Sequence, residues 1–340
     1  APKTFYFSPD YISYLLSTNK QDMEARLLLK TLGFCLLLVI GIPGNMFILL
    51  KFAYIKIIER KLLPANIILT ALALSNFLVI LSRVIPQILN AIGVPHLLDD
   101  TECKLISFTF RVSRGMAICL TSFLSCHQCA LVAPITKFWN YLKENLTKRL
   151  YLILMLLLVI NIALHPSTVL YGRAKANYTT SPYTLHLVYC TTDFLSYASF
   201  MSNGMFSVIR EFLFVGLMIL SSIYMVTILY RHGNAMRGMR SSDKGNSKSM
   251  EYKASRAVIL LVAVYVVLYG MDNSMWIYTL SLSNVSPETN DIRILLAAAY
   301  SALSPFVIIA TNPKLQRRIQ INIHKAVKSK QLLTFQHKYQ

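Results

Sequence analysis

Residues 150–172 read LYLILMLLLVINIALHPSTVLYG, a run with no charged side chain from end to end. A helix of that composition is apolar on every face, and roughly 20 such residues are what a bilayer core of about 30 Å demands. A soluble helix of the same length would set an apolar stripe against charge. Working outward, similar runs occur at 31–50, 62–82, 115–136, 212–230 and 294–313. One more is split by a single acid: 257–271, then Asp272, then 273–287. The expected fold is an all-α membrane protein, a bundle of seven transmembrane helices. The spans are expected at about 28–52, 63–92, 103–134, 148–170, 204–231, 254–283 and 290–312, by the length a crossing needs. The bundle then covers 28–312, with an outer N-terminal segment at 1–27 and a tail at 313–340. Residues 1–27 are polar and precede a full-length span, so a signal peptide is not expected.

Charge supports the same plan. The 340 residues hold 34 Lys and Arg against 15 Asp and Glu, a formal net charge of +19, yet only 14% of the chain is charged. A typical soluble domain is about 25% charged. The basic excess first suggests nucleic acid, but its placement excludes that partner. Lys51, Lys56, Arg60 and Lys61 follow span 1, and Lys137, Lys143, Lys148 and Arg149 follow span 3. Arg231, Arg237, Arg240, Lys244, Lys248, Lys253 and Arg256 follow span 5, and the tail is basic from Lys314 onward. The opposite loops carry Asp99, Asp100, Glu102, Asp193, Glu288 and Asp291. Basic loops stay in the cytoplasm, so the N-terminus is expected outside and the C-terminus inside. The basic face suits the anionic inner leaflet. Leu315, Ile319, Ile321 and Ile323 among Lys and Arg suit a short amphipathic helix lying on that membrane.

Of six cysteines, Cys35, Cys119, Cys126 and Cys129 fall inside spans, where a thiol acts as a small apolar filler. Cys103 and Cys190 both fall on the oxidising side, which favours a disulfide over two free thiols. Cys126 and Cys129 flank His127, but adjacent helical positions point about 100° apart, so no metal site is expected. The sequon Asn177-Tyr178-Thr179 lies in the second outer loop and is the expected glycan site. Asn284-Val285-Ser286 lies outside but close to the membrane, and Asn145-Leu146-Thr147 lies inside and is expected bare.

Finer motifs narrow the class. They are Gly44-Asn45 in span 1, Leu72-Ala73-Leu74-Ser75-Asn76 in span 2, and Arg111-Val112-Ser113-Arg114-Gly115 with Gln128 and Pro134 in span 3. They continue with His165-Pro166, Asn177-Tyr178-Thr179-Thr180, Tyr189-Cys190, Arg210-Glu211 and Ser304-Pro305-Phe306-Val307. No single motif is specific; the ordered set, from about residue 30 to 320, resembles the vomeronasal type 1 receptors. That resemblance implies a G-protein-coupled pheromone or odorant receptor, with a G protein of the inhibitory class as partner. The chain departs from the wider rhodopsin-like pattern in several places. His127-Gln128-Cys129 stands where Asp-Arg-Tyr is usual, and Asn76 stands where Asp is usual, against a sodium pocket. Span 7 lacks Asn-Pro-x-x-Tyr, and span 6 has no proline among 257–283. Bitter taste receptors, the nearest alternative, typically carry Arg at the position of Asn76.

Ionisable groups inside spans are costly and mark function or internal pairing. Arg83, Arg111, Arg114, Arg210, Glu211 and Asp272 are of this kind. Arg111 and Arg114 share a helix face. They lie eight and eleven residues after Cys103, about 12–16 Å along the helix. Paired guanidinium groups at that depth hold either a carboxylate or sulfate of a ligand, or the internal acids Glu211 and Asp272. The candidate ligand-binding set is Arg83, Arg111, Arg114, Glu211, Asp272 and Trp276, and the ligand a small organic molecule, anionic or polar-headed. Arg83 is the expected cation for Glu211 or a pocket wall. Tyr265, Tyr269 and Trp276 form one inward stripe of span 6. His127, Gln128, Arg231 and Lys253 at the inner ends are the candidate G-protein surface. No cofactor and no catalytic set is expected. The rival readings are an accessory subunit for other chemoreceptors and, from a different class, a transporter; the two halves of the chain show no repeat of the kind paired transporter folds use.

Overall fold

The structure, a computed structural model, describes residues 9–92, 94, 98–174, 184–186, 190–193, 196–237, 245–280, 287–311 and 315. Among these, the chain forms α1 (Pro9–Glu59), α2 (Pro64–Ala91), α3 (Asp100–Val132), α4 (Lys137–Lys148), α5 (Leu150–Ala163) and α6 (Pro166–Tyr171). Three short strands follow, β1 (Gly172–Ala174), β2 (Thr184–His186) and β3 (Cys190–Asp193). Then come α7 (Tyr197–Arg237), α8 (Gly245–Leu280) and α9 (Pro287–Thr311).

Local chemistry sets the helix starts. α2 opens on Pro64, whose missing N–H is no loss in a first turn. α3 opens after Asp99, whose backbone N–H donates to the Glu102 carboxylate at 3.2 Å. The Thr136 hydroxyl oxygen accepts the Trp139 N–H at 3.4 Å and caps α4. α1 starts well before the span expected at residue 28 and runs unbroken from Pro9.

Among the described residues, six helices are long and apolar enough to cross a membrane: Leu27–Glu59, Pro64–Ala91, Asp100–Val132, Tyr197–Arg231, Ser255–Met275 and Asp291–Ala310. α4 and α5 pass only as a pair bent by 70°, so the bundle has six such spans, or up to seven. The uncharged run at 150–172 is not one helix. α5 has 14 residues, about 21 Å at 1.5 Å per residue, short of a bilayer core. Pro166 then breaks the backbone ladder and pushes His165 out of helical geometry, with φ −124° and ψ 32°. The short α6 continues beyond the break.

The expectation of an all-helical chain misses one element. β1, β3 and β2 form an antiparallel sheet in that order, with Gly172 opposite Thr192 and Thr184 opposite Asp193. The Cys103–Cys190 disulfide joins this sheet to α3, as expected, and the Ala174 N–H donates to the Asp100 carboxylate at 2.6 Å. Asn177 and the tail beyond residue 315 lie outside the described residues.

The packing is inverted relative to a soluble protein. Leu29, Leu36, Leu50, Phe212 and Leu220 point outward and exposed, whereas Asn45, Asn76, Thr121, Ser125 and Asn161 are fully buried. Lipid has no reason to exclude leucine, and polar groups must find partners within the bundle. Asn45 donates to the Ser301 carbonyl at 2.9 Å and Asn76 to the Ser304 hydroxyl at 2.8 Å, while the Ser301 hydroxyl donates back to Asn76 at 3.2 Å. These bonds tie α1 and α2 to α9. α3 runs through the middle and is buried over most of its length.

Candidate functional site

The charges left inside the bundle converge at the end that carries the disulfide. α3 contributes Arg111 and Arg114, one turn apart. The Arg114 guanidinium lies 2.8 Å from the Asp272 carboxylate on α8 and 3.6 Å from Glu211 on α7. It also lies over the Tyr269 ring, 4.9 Å from its centre. One side chain thus pins three helices. Asp272 is almost wholly buried and has a second cation, Arg293 of α9, at 4.0 Å.

Arg210, next to Glu211 in sequence, lies 3.8 Å from its carboxylate. Its other terminal nitrogen donates to the Asn161 side-chain oxygen at 3.1 Å and to His165 Nε2 at 3.2 Å. Arginine only donates, so His165 Nε2 is the unprotonated ring nitrogen. The break between α5 and α6 therefore delivers His165 to α7. The ion pairs the structure gives Glu211 are to Arg114 and Arg210; Arg83, expected in that role from sequence, stands over the Phe110 ring at 4.9 Å. Closer to the disulfide end, Lys30 of α1 pairs with Asp291 of α9 at 2.7 Å, and Gln87 of α2 donates to the same acid at 3.2 Å.

Below Arg114 lies an aromatic floor. Tyr265 and Tyr269 stack at 4.1 Å, both meet Tyr300 edge-on at 4.8 and 5.8 Å, and Tyr300 shares a 2.8 Å hydrogen bond with Thr121. Tyr265 and Tyr269 are buried, as an inward stripe requires. The Trp276 side chain lies outside the described residues.

Arg111 differs from its neighbour. Among the described residues it forms no ion pair with Glu211 or Asp272, which are engaged by Arg114, Arg210 and Arg293. The structure thus brings together Arg114, Glu211 and Asp272 and adds Arg210, Arg293, Asn161 and His165, while Arg111 stands one turn before Arg114 on α3 and Arg83 lies over the neighbouring Phe110. Arg293 and Lys30 escaped the sequence reading because the uncharged runs at 294–313 and 31–50 begin just after them. Their position one residue outside a run was the available signal.

At the opposite end, His127 and Gln128 are buried in the last turns of α3 and Arg231 is exposed on α7. Trp139 of α4 stacks on Tyr224 of α7 at 5.4 Å and fixes the α4 helix there. The Lys253 side chain lies outside the described residues.

The family model described as the vomeronasal organ pheromone receptor family matches residues 31–321. The chain is 36% identical over 298 residues to olfactory receptor class A-like protein 1 of Danio rerio, covering 87% of this chain and 93% of that protein. It is 26% identical over 279 residues to vomeronasal type-1 receptor 4 of Homo sapiens, covering 82% and 93%. It is also 26% identical over 294 residues to vomeronasal type-1 receptor 43 of Mus musculus, covering 84% and 88%. These relatives are receptors, not enzymes. The matched stretch takes in the six apolar spans, the disulfide and the network from Arg83 to Arg293, and so this multi-pass protein of the cell membrane belongs to the vomeronasal organ pheromone receptor family.

Proposed function

We propose that the chain is a chemosensory G-protein-coupled receptor whose ligand is a small organic anion, bound at the arginine cluster of the disulfide end. The carrying observation is Arg111, which forms no ion pair with an acid among the described residues while Arg114, one turn away, is engaged by both acids. A carboxylate or sulfate meets the paired N–H donors of a guanidinium and relieves repulsion among like charges. Arg83, Arg111 and Trp276 supply the contact surface; Arg114, Glu211 and Asp272 hold the frame around it. A ligand that binds one arrangement of α3, α7 and α8 better than another shifts their populations by that difference in affinity. At the opposite end, His127, Gln128, Arg231 and Lys253 offer the surface for a heterotrimeric G protein of the inhibitory class, beside anionic lipid.

The test is a panel of organic acids, neutral steroids and volatiles on cells carrying a reporter G protein. Arg111→Gln is expected to reach the surface normally and to lose about 10- to 100-fold in potency for an acid, the value of one charge-assisted contact. An unchanged response to acids rules out Arg111 as the contact. A response only when a second chemoreceptor is co-expressed makes the chain an accessory subunit, and uptake without nucleotide exchange makes it a transporter.

In this reading the N-terminus and the disulfide lie outside. Asn177→Gln is then expected to abolish the glycosidase-sensitive mobility shift on a gel, and Asn145→Gln to leave it. The reverse result inverts the topology.

A further inference from the structure

The sequence of α4, KFWNYLKENLTK, is amphipathic where the spans are apolar all round. At 100° per residue Phe138, Trp139, Leu142 and Leu146 fall on one arc, and Lys137 and Lys143 stand at its two borders. The protein itself covers part of that arc. Trp139 stacks on Tyr224 of α7, and Leu142 and Leu146 are half-buried. Phe138 and, beside it, Tyr141 are 65% and 70% exposed, and Ile135 just ahead of the helix is 91% exposed.

Both ends of α4 are held near the membrane surface. A single residue, Arg149, separates its last turn from Leu150, which opens the uncharged run of α5. At the other end, Tyr224 stands seven residues before Arg231, about 10 Å from the charged end of the α7 span. The axes of α4 and α5 differ by 70°. With α5 crossing the bilayer, α4 therefore lies nearly flat along its surface, and its exposed aromatics meet the interface where such rings are favoured. The charge there is positive. Lys137, Lys143, Lys148 and Arg149 stand against Glu144, which pairs with Lys148. Lys137, Lys143 and Arg149 are exposed and form no ion pair with an acid among the described residues.

We propose that α4 is a binding element for anionic phospholipid. Phe138 and Tyr141 enter the leaflet at the level of the lipid carbonyls, and Lys137, Lys143 and Arg149 take the negative groups of the headgroups. The lysine stems run along the apolar arc and lift their ammonium groups to that level. A zwitterionic leaflet satisfies the aromatics but not the three cations; an anionic leaflet satisfies both. Neither an organic ligand nor a G protein is needed for this binding, so it stands or falls apart from the function proposed above.

The experiment uses the full chain in phosphatidylcholine vesicles, with no ligand and no G protein. The chain has two tryptophans, so Trp276→Phe leaves Trp139, on α4 itself, as the donor for energy transfer to a lipid carrying dansyl on its acyl chain. Dansyl-phosphatidylserine is compared with dansyl-phosphatidylcholine at the same small mole fraction. The serine lipid is expected to be enriched about two- to fivefold around Trp139 over the choline lipid. That excess is expected to vanish in about 1 M salt. Lys137→Gln with Lys143→Gln is expected to abolish it at low salt. Lys56→Gln with Arg60→Gln, which removes two exposed charges at the end of α1 instead, is expected to keep it. Equal transfer to the two lipids overturns the proposal, and so does an excess that persists in high salt, a test that needs no lysine variant to fold. An excess that survives Lys137→Gln with Lys143→Gln overturns it too and assigns the lipid to the other basic loops. If those two substitutions leave the lipid signal unchanged but abolish nucleotide exchange on an added G protein, the face belongs to that protein instead.

Discussion

Arg114→Gln is expected to strip the receptor from the cell surface. The substitution leaves Asp272 buried with only Arg293 at 4.0 Å, and Glu211 with only Arg210 at 3.8 Å. Removing one partner of a buried ion pair costs about 3–5 kcal/mol, because the other charge stays behind without compensation. Total stabilities are about 5–15 kcal/mol, so a loss of that size moves a large fraction of the chain into quality control. Arg114 also carries the packing over Tyr269, which glutamine cannot replace. The partner test is the double variant Arg114→Gln with Asp272→Asn, which withdraws the more buried of the two stranded charges. It is expected to recover much of the surface level lost in the single variant, by flow cytometry on an N-terminal epitope. Arg111→Gln, one turn away, is expected to show no such loss. The contrast separates the two arginines that the sequence left as a pair. Normal surface expression of Arg114→Gln with a lost ligand response would instead make Arg114 a ligand contact.

How much of this was legible beforehand depended on the physics behind each feature. The spans were readable because a bilayer imposes a length and a composition on every crossing, and 31–50, 62–82 and 115–136 satisfy both without reference to anything distant. The intramembrane charges were readable as exceptions to that composition. Their pairing was not: which of Arg111 and Arg114 meets Glu211 depends on the rotation of α3 against α7 and α8, and residues three apart share a face in either case. The Cys103–Cys190 bridge followed from compartment alone, whereas the sheet it anchors did not. Its strands are three or four residues long, too short for alternation to register, and the one that carries Cys190 is tethered to α3 by a residue 87 positions away in sequence. The break at His165-Pro166 was visible as a motif. Its consequence, that His165 turns toward Arg210, is a tertiary fact. Gly115 carried no local signal at all, since a glycine within an apolar helix reads only as a mild weakness.

Gly115 nonetheless predicts the second large effect. A side chain there would drive its first carbon into the Asn161 amide oxygen and place it 2.7 Å from the Arg210 guanidinium. Neither group is free to withdraw. Asn161 is fully buried and anchored through its amide nitrogen to the Leu157 carbonyl at 2.8 Å, and Arg210 is held by Glu211, Asn161 and His165. Glycine is required because three helices, α3, α5 and α7, approach at one point, not because of any unusual backbone angle. Gly115→Ala is expected to cost about 1–3 kcal/mol through overpacking. Severing the Arg210–Asn161 bond adds about 1–3 kcal/mol for a buried polar group left without its partner. The sum is comparable to the loss at Arg114, and Gly115→Leu is expected not to reach the surface. Asn161→Ala removes the atom nearest the clash. If close approach is the cause, Gly115→Ala with Asn161→Ala loses less unfolding temperature than the two single losses added, the coupling that neighbouring sites show. Strict additivity would mean that the two residues do not share the space, and that the glycine matters only for the flexibility of α3.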